Sequence, residues 1–344
     1  MQSVHFLAFQ FWAEVDKSGQ KILKTFYKLF GISHNVLLSN KHRFWSFEKI
    51  KKYIDFLAHK KLTNCVILAD CHIDKFGGLF NEKGINPKNK NFLQKTYVYT
   101  KQKGLFFGLQ PRNYPQNKSS ESLKKWFSNI KKSIPDLDIL KISLEWLDGY
   151  IHKGNVPRDV LNIIKATKKV YPKIFIILNS ISREWKKPRK FHYWISQKYQ
   201  NIPLGFYTLE KIYNERKNKN PYLFLKEFKK EGFKNIFLHI LPNEGSQIIN
   251  FEKRFFSDIK YALSSNISLL IIAGANFSFD KKLYKKIKRK LGNKLKLVSD
   301  KEQLISKIRN NNLRKNFSFK KVIEEEENTK PVFLARFYNW LHRA

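Results

Sequence analysis

The stretch DLDILKISLEWLDGY, Asp136 to Tyr150, holds an apolar run (Leu137, Ile139, Leu140, Ile142, Leu144) that stops at two carboxylates, Glu145 and Asp148, with Trp146 between them. A short run that is apolar on both alternating faces reads as a strand covered on both sides, as in a parallel sheet. Acidic residues are scarce, 28 Asp and Glu against 67 Lys and Arg. Two carboxylates closing a buried strand are therefore the first candidates for chemistry. The plainer reading is that Glu145 and Asp148 face solvent and pair with some of the many lysines.

Outward from this stretch the same unit recurs: a short apolar strand, a loop, a lysine-rich amphipathic helix, another strand. Strands are expected at Val36–Leu38, Asn64–Ala69, Leu105–Leu109, Ile139–Leu144, Ile174–Leu178, Pro203–Tyr207, Asn235–Leu241 and Ser268–Ala273. Helices are expected in HRFWSFEKIKKYIDFLAHKKL, His42–Leu62, and at Phe92–Lys103, Ser120–Ser133, Arg158–Val170, Tyr222–Lys230, Phe251–Ser264 and Lys281–Leu291. In the first of these helices Phe47, Ile50, Ile54 and Leu57 make one apolar stripe behind a Ser46 cap. Eight such units in about 250 residues fit a (β/α)8 barrel of the TIM type. A doubly wound sheet, or two nucleotide-binding-like halves, uses the same alternation.

On the barrel reading, residues 1–32 form a short N-terminal strand and helix, 33–300 the barrel, and 301–344 a C-terminal helical extension. Val4–Trp12 and Lys294–Val298 are left as short strands outside the eight, and Val4–Trp12 reads as a buried strand and not as a signal peptide. The extension contains a helix at Lys301–Arg309, the acidic block Glu324–Glu327 and a terminal amphipathic segment PVFLARFYNWLHRA. That segment suits docking on the core better than a membrane surface.

Composition narrows the class. The chain has 344 residues, is 42% hydrophobic and 15% aromatic, enough for a sizeable core. Its two cysteines, Cys65 and Cys71, exclude a disulfide scaffold or zinc ribbon and suggest a reducing cytoplasm. The net charge of +39 favours weak contact with polyanions or with the anionic inner face of a membrane, although AT-rich codon usage accounts for part of the lysine. Lysines are spread over the helices, so no specific nucleic acid is expected.

In a barrel, functional groups project from the C-terminal ends of strands. The second strand offers Asp70, Cys71, His72 and Asp74, the third Gln110, Arg112, Asn113 and Tyr114, and the fourth Glu145, Trp146 and Asp148. Asn179 follows from the fifth, Tyr207 from the sixth, and His239 with Asn243 from the seventh. Amides and carboxylates bind hydroxyls and aromatic faces stack on sugar rings, so this set suits a carbohydrate. Asp70, Cys71, His72 and Asp74 are of metal-ligating types, but a structural His72 paired with a neighbouring aspartate fits the pattern better. No phosphate loop, GxSxG elbow or HExxH is present, and no cofactor is implied.

The order of these features resembles the catalytic barrel of O-GlcNAcase-like β-N-acetylglucosaminidases, from about Arg43 to Phe279, with hexosaminidases as more distant relatives. FWSFEKIKKYIDFLAHKKLTNCVILAD is similar to the family's opening helix and strand, and GLFFGLQPRNYP to its third strand. SLKKWFSNI resembles the helix before the catalytic strand, GFYT an aromatic-Thr strand end, and HILPNEG a strand supplying a substrate-binding asparagine. KISLEWLDG falls where the family keeps its acid pair, although that pair is adjacent there and three residues apart here. His239 stands where an acid would be expected.

The resemblance implies hydrolysis of an N-acetylated amino sugar assisted by the substrate's own acetamide, with Glu145 as acid and Asp148 polarising the acetamide. Asp70, His72, Asn113, Trp146, Asn179, Tyr207, His239 and Asn243 would bind the substrate. Two other readings stand beside it. One is a membrane-associated glycosyltransferase of surface-polysaccharide synthesis, made of two α/β halves. The other is a non-catalytic carbohydrate or polyanion binder on a degenerate barrel.

Overall fold

The computed structural model describes residues 6–12, 47–61, 63–70, 79–112, 114–144, 156–179, 188–208, 223–240, 259–265, 267, 269–273, 285, 289, 291, 294, 296–308 and 312–328. Eight strands form one closed parallel barrel: β1 (Phe6–Trp12), β2 (Cys65–Ala69), β3 (Phe106–Gln110), β4 (Ile139–Ser143), β5 (Phe175–Asn179), β6 (Leu204–Thr208), β7 (Ile236–Ile240) and β8 (Leu269–Ala273). They run in sequence order around the ring, and β1 pairs with β8 on one side and β2 on the other. The fold is an α/β barrel of the TIM type. One closed ring also removes the two open sheets that the transferase reading needed.

Seven strands lie where the apolar runs placed them, but the ring begins elsewhere. β1 is a full barrel member and not a cap, so the barrel starts at Phe6 and not at residue 33. Val36–Leu38, taken as the first strand, lies outside the described residues, as do the Ser46 cap and the segment 331–344. Two apolar runs compete for the first position, and pairing with both β2 and β8 decides for β1.

Alternation along each strand divides the core in two. Cys65, Ile67, Ile139, Phe175, Ile177, Phe237, Leu269 and Ile271 point inward and pack together. Their neighbours Val66, Leu68, Leu140, Ile142, Ile176, Leu178 and Leu270 point outward into the helix layer. Gly205 of β6 makes room for this interior, since a Cβ there would sit 1.7 Å from Cζ of Phe237.

The helices cover the ring with one apolar face each. In α1 (Phe47–His59) Ile50, Tyr53, Ile54 and Leu57 are buried, matching the stripe in the sequence. α2 is Lys90–Gln102. In α3 (Ser120–Lys131) the hydroxyl of Ser119 caps the N-terminus by accepting the Ser122 N–H, and Leu123, Trp126, Phe127 and Ile130 are buried. α4 (Val156–Val170) packs beside it, and α6 spans Leu223–Lys230. Helix α5 (Lys190–Lys198) has no counterpart among the expected helices. Phe191 to Ser196 are all buried, so it carries no polar face and hence no helical period to read.

The C-terminal region closes the N-terminal mouth of the barrel. Lys294–Val298 is not a strand: residues 296–300 are irregular, and Val298 and Leu304 insert into the inward cluster. Leu304 lies on α7 (Lys301–Ile308), and the Asn64 side-chain amide donates to the Val298 carbonyl at 2.8 Å. Buried Asp138, just ahead of β4, ties the parts together. Its Oδ2 accepts the Phe107 N–H and the Lys101 ammonium, each at 2.8 Å, while Oδ1 lies 2.8 Å from Lys301 Nζ. The acidic block also makes contact: it sits on α8 (Phe319–Asn328), where Glu325 accepts the Lys190 N–H at 3.0 Å beside Arg189. A carboxylate at the N-terminus of α5 interacts favourably with the helix dipole.

Removing the Asp138 carboxylate strands one buried N–H and two partly buried ammonium groups. Asp138→Ala should lower the unfolding free energy by about 2–4 kcal/mol in urea denaturation. An unchanged midpoint would show that the tie is dispensable.

Candidate functional site

The inward positions change character along the barrel axis. At the N-terminal end they are apolar, Cys65, Phe106, Ile139, Phe175, Phe237 and Leu269. Toward the C-terminal end the same parity brings Gln110 of β3, Lys141 and Ser143 of β4, Asn179 of β5 and His239 of β7. All five are fully or almost fully buried. Polar groups inside the C-terminal half of a barrel mark the end at which barrel enzymes carry out their chemistry.

Lys141 and His239 meet across the barrel, with Nζ 2.8 Å from Nδ1. With Lys141 as donor, Nδ1 accepts and the neutral imidazole carries its proton on Nε2. Burial, with the Lys141 charge adding to it, holds the His239 pKa well below its ordinary value. His239 is therefore neutral.

Gln110, Ser143 and Asn179 differ from this pair. Neither amide atom of Gln110 or Asn179, nor the Ser143 hydroxyl, has a hydrogen-bond partner among the described residues. Ser143 and Asn179 occupy the same register position on adjacent strands. Buried polar atoms are nearly always paired, and leaving one unpaired costs about 1–3 kcal/mol. These groups hold hydrogen-bonding capacity that the fold itself does not use.

Asp70, expected among the sugar-binding groups, is fully buried at the end of β2. Its Oδ1 accepts the Leu79 N–H at 2.6 Å and its Oδ2 the Arg112 N–H at 3.4 Å. It braces the chain beyond β2 against the chain beyond β3. Tyr114, packed on Trp126, lies nearby, and burial reinforced by the Asp70 charge pushes its phenol pKa up.

Of the residues singled out in the sequence, Asn179 and His239 thus stand in the barrel interior, and Tyr207 takes the register position beside His239. Glu145, Trp146, Asp148, His72, Asn113 and Asn243 lie outside the described residues, with Cys71 and Asp74. Lys141 and Ser143 were not singled out, and Gln110 was noted only as a strand end. The signal for Lys141 was available: a lysine inside the apolar run ILKIS cannot reach solvent from a strand buried on both faces. Among the described residues no group of three His, Cys, Asp or Glu could hold a metal ion. No helix among them is long and apolar enough to cross a membrane.

No family model matches the chain, and no curated protein matches it. Solved structures with a similar course include the PgaB glycoside hydrolase domain of Bordetella bronchiseptica, at 9% identity and a TM-score of 0.49 over 69% of this chain and 91% of that one. A GH5_18 protein of Streptomyces cattleya in complex with GlcNAc matches at 7% identity and 0.49, over 79% and 71%. The DAHP synthase of Thermotoga maritima matches at 11% and 0.48, over 86% and 71%. At these values the strand order of the chain itself, and not the likeness, defines the class: a closed α/β barrel with a polar C-terminal interior.

The neutral state of His239 has a consequence for stability. In the unfolded chain an imidazole takes up a proton near pH 6.5, whereas the folded one resists it. Protonation therefore favours the unfolded chain, and stability is lost as the pH falls below 6.5 toward the folded value. The slope should reach about 1.4 kcal/mol per pH unit. His239→Gln keeps an acceptor for Lys141 but does not titrate, and should flatten this part of the profile between pH 7 and 5 in denaturation experiments.

Proposed function

We propose that this chain is a glycoside hydrolase-like barrel enzyme acting on an N-acetylated amino sugar or a related glycan. The observation that carries the reading is the set of buried, unpartnered amide and hydroxyl groups of Gln110, Asn179 and Ser143 at the C-terminal end of the interior. A primary amide presents a donor and an acceptor side by side, which complements vicinal sugar hydroxyls or an acetamide.

Glu145 and Asp148 come directly after β4 in sequence, so the same strand that places Ser143 leads into both carboxylates. In the mechanism that the O-GlcNAcase resemblance implies, Glu145 protonates the glycosidic oxygen as the bond to C1 breaks. The substrate's acetamide oxygen bonds to C1, with Asp148 polarising the acetamide by accepting its N–H. Water then opens the cyclic intermediate while Glu145 takes back a proton. Trp146 and Tyr207 offer stacking faces, and Asp70, His72, Asn113, His239 and Asn243 complete the proposed contacts. No cofactor enters this chemistry. The two cysteines and the net charge of +39 support a cytoplasmic protein with weak affinity for polyanions or the inner membrane face.

Hydrolysis of a panel of aryl glycosides tests this. Release from the N-acetylglucosaminide is expected, with Glu145→Ala and Asp148→Ala each lowering turnover roughly 10²–10⁴-fold at an unchanged unfolding midpoint. Asn179→Ala should raise KM more than it lowers kcat. Full activity in both carboxylate variants would sink the assignment, and inactivity of the folded wild type across the panel would sink the reading.

A further inference from the structure

In a ring of parallel strands joined by helices, each helix runs back against the strands, so its C-terminus arrives at the N-terminal mouth of the barrel. Helices α1 to α6 lead through short turns into β2 to β7, and all six therefore end on that one face. Each ends on, or is followed within two residues by, an exposed lysine: Lys61, Lys103, Lys132, Lys169, Lys198 and Lys230. The first turns of the same helices, at the opposite mouth, include the acids Glu48, Glu121 and Asp159.

A lysine at a helix C-terminus has a local reason, because it complements the helix dipole. The dipole places only about half a negative charge at each end. Each end here carries one to three lysines in its last turn and the connection that follows. The surplus has no local use. Several acids on this face are already engaged by lysines outside the six: Asp136 and Asp138 by Lys101 and Lys301, Glu231 by Lys315, and Glu302 by Lys173. Of the six, Lys103 pairs with Asp55 at 2.7 Å.

We infer that this face docks on an anionic lipid surface, with the C-terminal mouth of the barrel turned away from it. The inference rests on the affinity for anionic surfaces read from the net charge, to which it gives a place and a partner, and not on the hydrolase chemistry. Three features favour a bilayer over a nucleic acid. The lysines stand around a ring, one per helix, so the charge covers an area, as a membrane plane requires, and not a stripe along which a phosphate backbone runs. All six are point charges, and none is an arginine able to fork onto a phosphate or a base edge. Val98, on α2, is the only exposed large apolar side chain among the described residues, so those residues offer neither an exposed ring to stack on bases nor an anchor to insert into lipid. Attachment is by charge alone, reversible and salt-dependent, and it leaves the polar C-terminal interior open on the side away from the lipid.

Co-sedimentation of the full chain with vesicles tests the inference, using phosphatidylcholine alone or with about one-third phosphatidylglycerol at about 100 mM salt. The anionic vesicles should bind at least about tenfold more tightly than the neutral ones, and about tenfold more weakly once salt is raised to about 400 mM. The fourfold variant Lys61→Glu, Lys132→Glu, Lys169→Glu, Lys230→Glu should weaken binding roughly 100-fold or more, since each lysine near an anionic surface is worth about fivefold. A matched variant in the first halves of the helices, Lys52→Glu, Lys90→Glu, Lys125→Glu, Lys226→Glu, makes the same change in net charge and should weaken it less than about tenfold. No preference for anionic vesicles, no salt dependence, or equal loss in the two variants overturns the inference. Tighter binding per phosphate to a DNA duplex at the same salt overturns the choice of a lipid partner. Should either fourfold variant not fold, the pairs Lys132→Glu with Lys169→Glu and Lys90→Glu with Lys125→Glu carry the same comparison. Failure here is separable from failure of the hydrolase reading. Selective vesicle binding without turnover of any aryl glycoside sinks the hydrolase and leaves this inference standing. Turnover of the N-acetylglucosaminide with no vesicle binding does the reverse.

Discussion

A parallel sheet that is apolar on both faces has two edges, and each edge presents unpaired N–H and C=O groups. β1 removes both at once by pairing with β2 and with β8. Once the ring is closed there is an inside, and every strand must supply its alternate residues to fill it. The inward cluster from Cys65 to Ile271 is the result. A ring also has two mouths. The N-terminal one is closed by Val298 and Leu304, held there by the bond from Asn64 and by Asp138 between Lys101 and Lys301.

Closure at one end leaves the other free for polar groups. Their placement follows from the same two-residue period: Ile139 is apolar at the bottom of β4, Lys141 lies in the middle, and Ser143 is at the top. Asn179 stands on β5 at the register position of Ser143. Lys141 and His239 meet across the interior, and burial, with the Lys141 charge adding to it, keeps that imidazole neutral. The apolar half of the interior and the half that carries unpartnered polar groups are thus parts of one set of strands, separated along the axis.

Much of this was legible in the chain. Seven apolar runs became strands within a residue or two, and the stripe Ile50, Ile54, Leu57 became the buried face of α1. The exceptions have physical causes. α5 escaped because a helix buried on every side, Phe191 to Ser196, shows no periodicity. Lys294–Val298 looked like a strand because Leu297 and Val298 are apolar, but Val298 plugs the mouth and Leu297 packs against the outer core under the helices. Lys141 is hard to single out because Lys and Arg number 67 in this chain, and one more in a strand carries little signal. Asp70, expected from its strand end to bind substrate, also accepts the main-chain N–H groups of Leu79 and Arg112, a bracing contact that no local pattern shows.

By itself the sequence determined the alternation of strand and helix, the burial of the strands on both faces, and the position of Glu145 and Asp148 directly after β4. These depend on local period and covalent order, which any stretch carries within itself. Only the tertiary structure decided that β1 closes the ring, and that Lys141 and His239, 98 residues apart, share a hydrogen bond. Ring closure and contacts across the interior depend on which distant segments win the competition for the same surface, and no local pattern encodes the outcome.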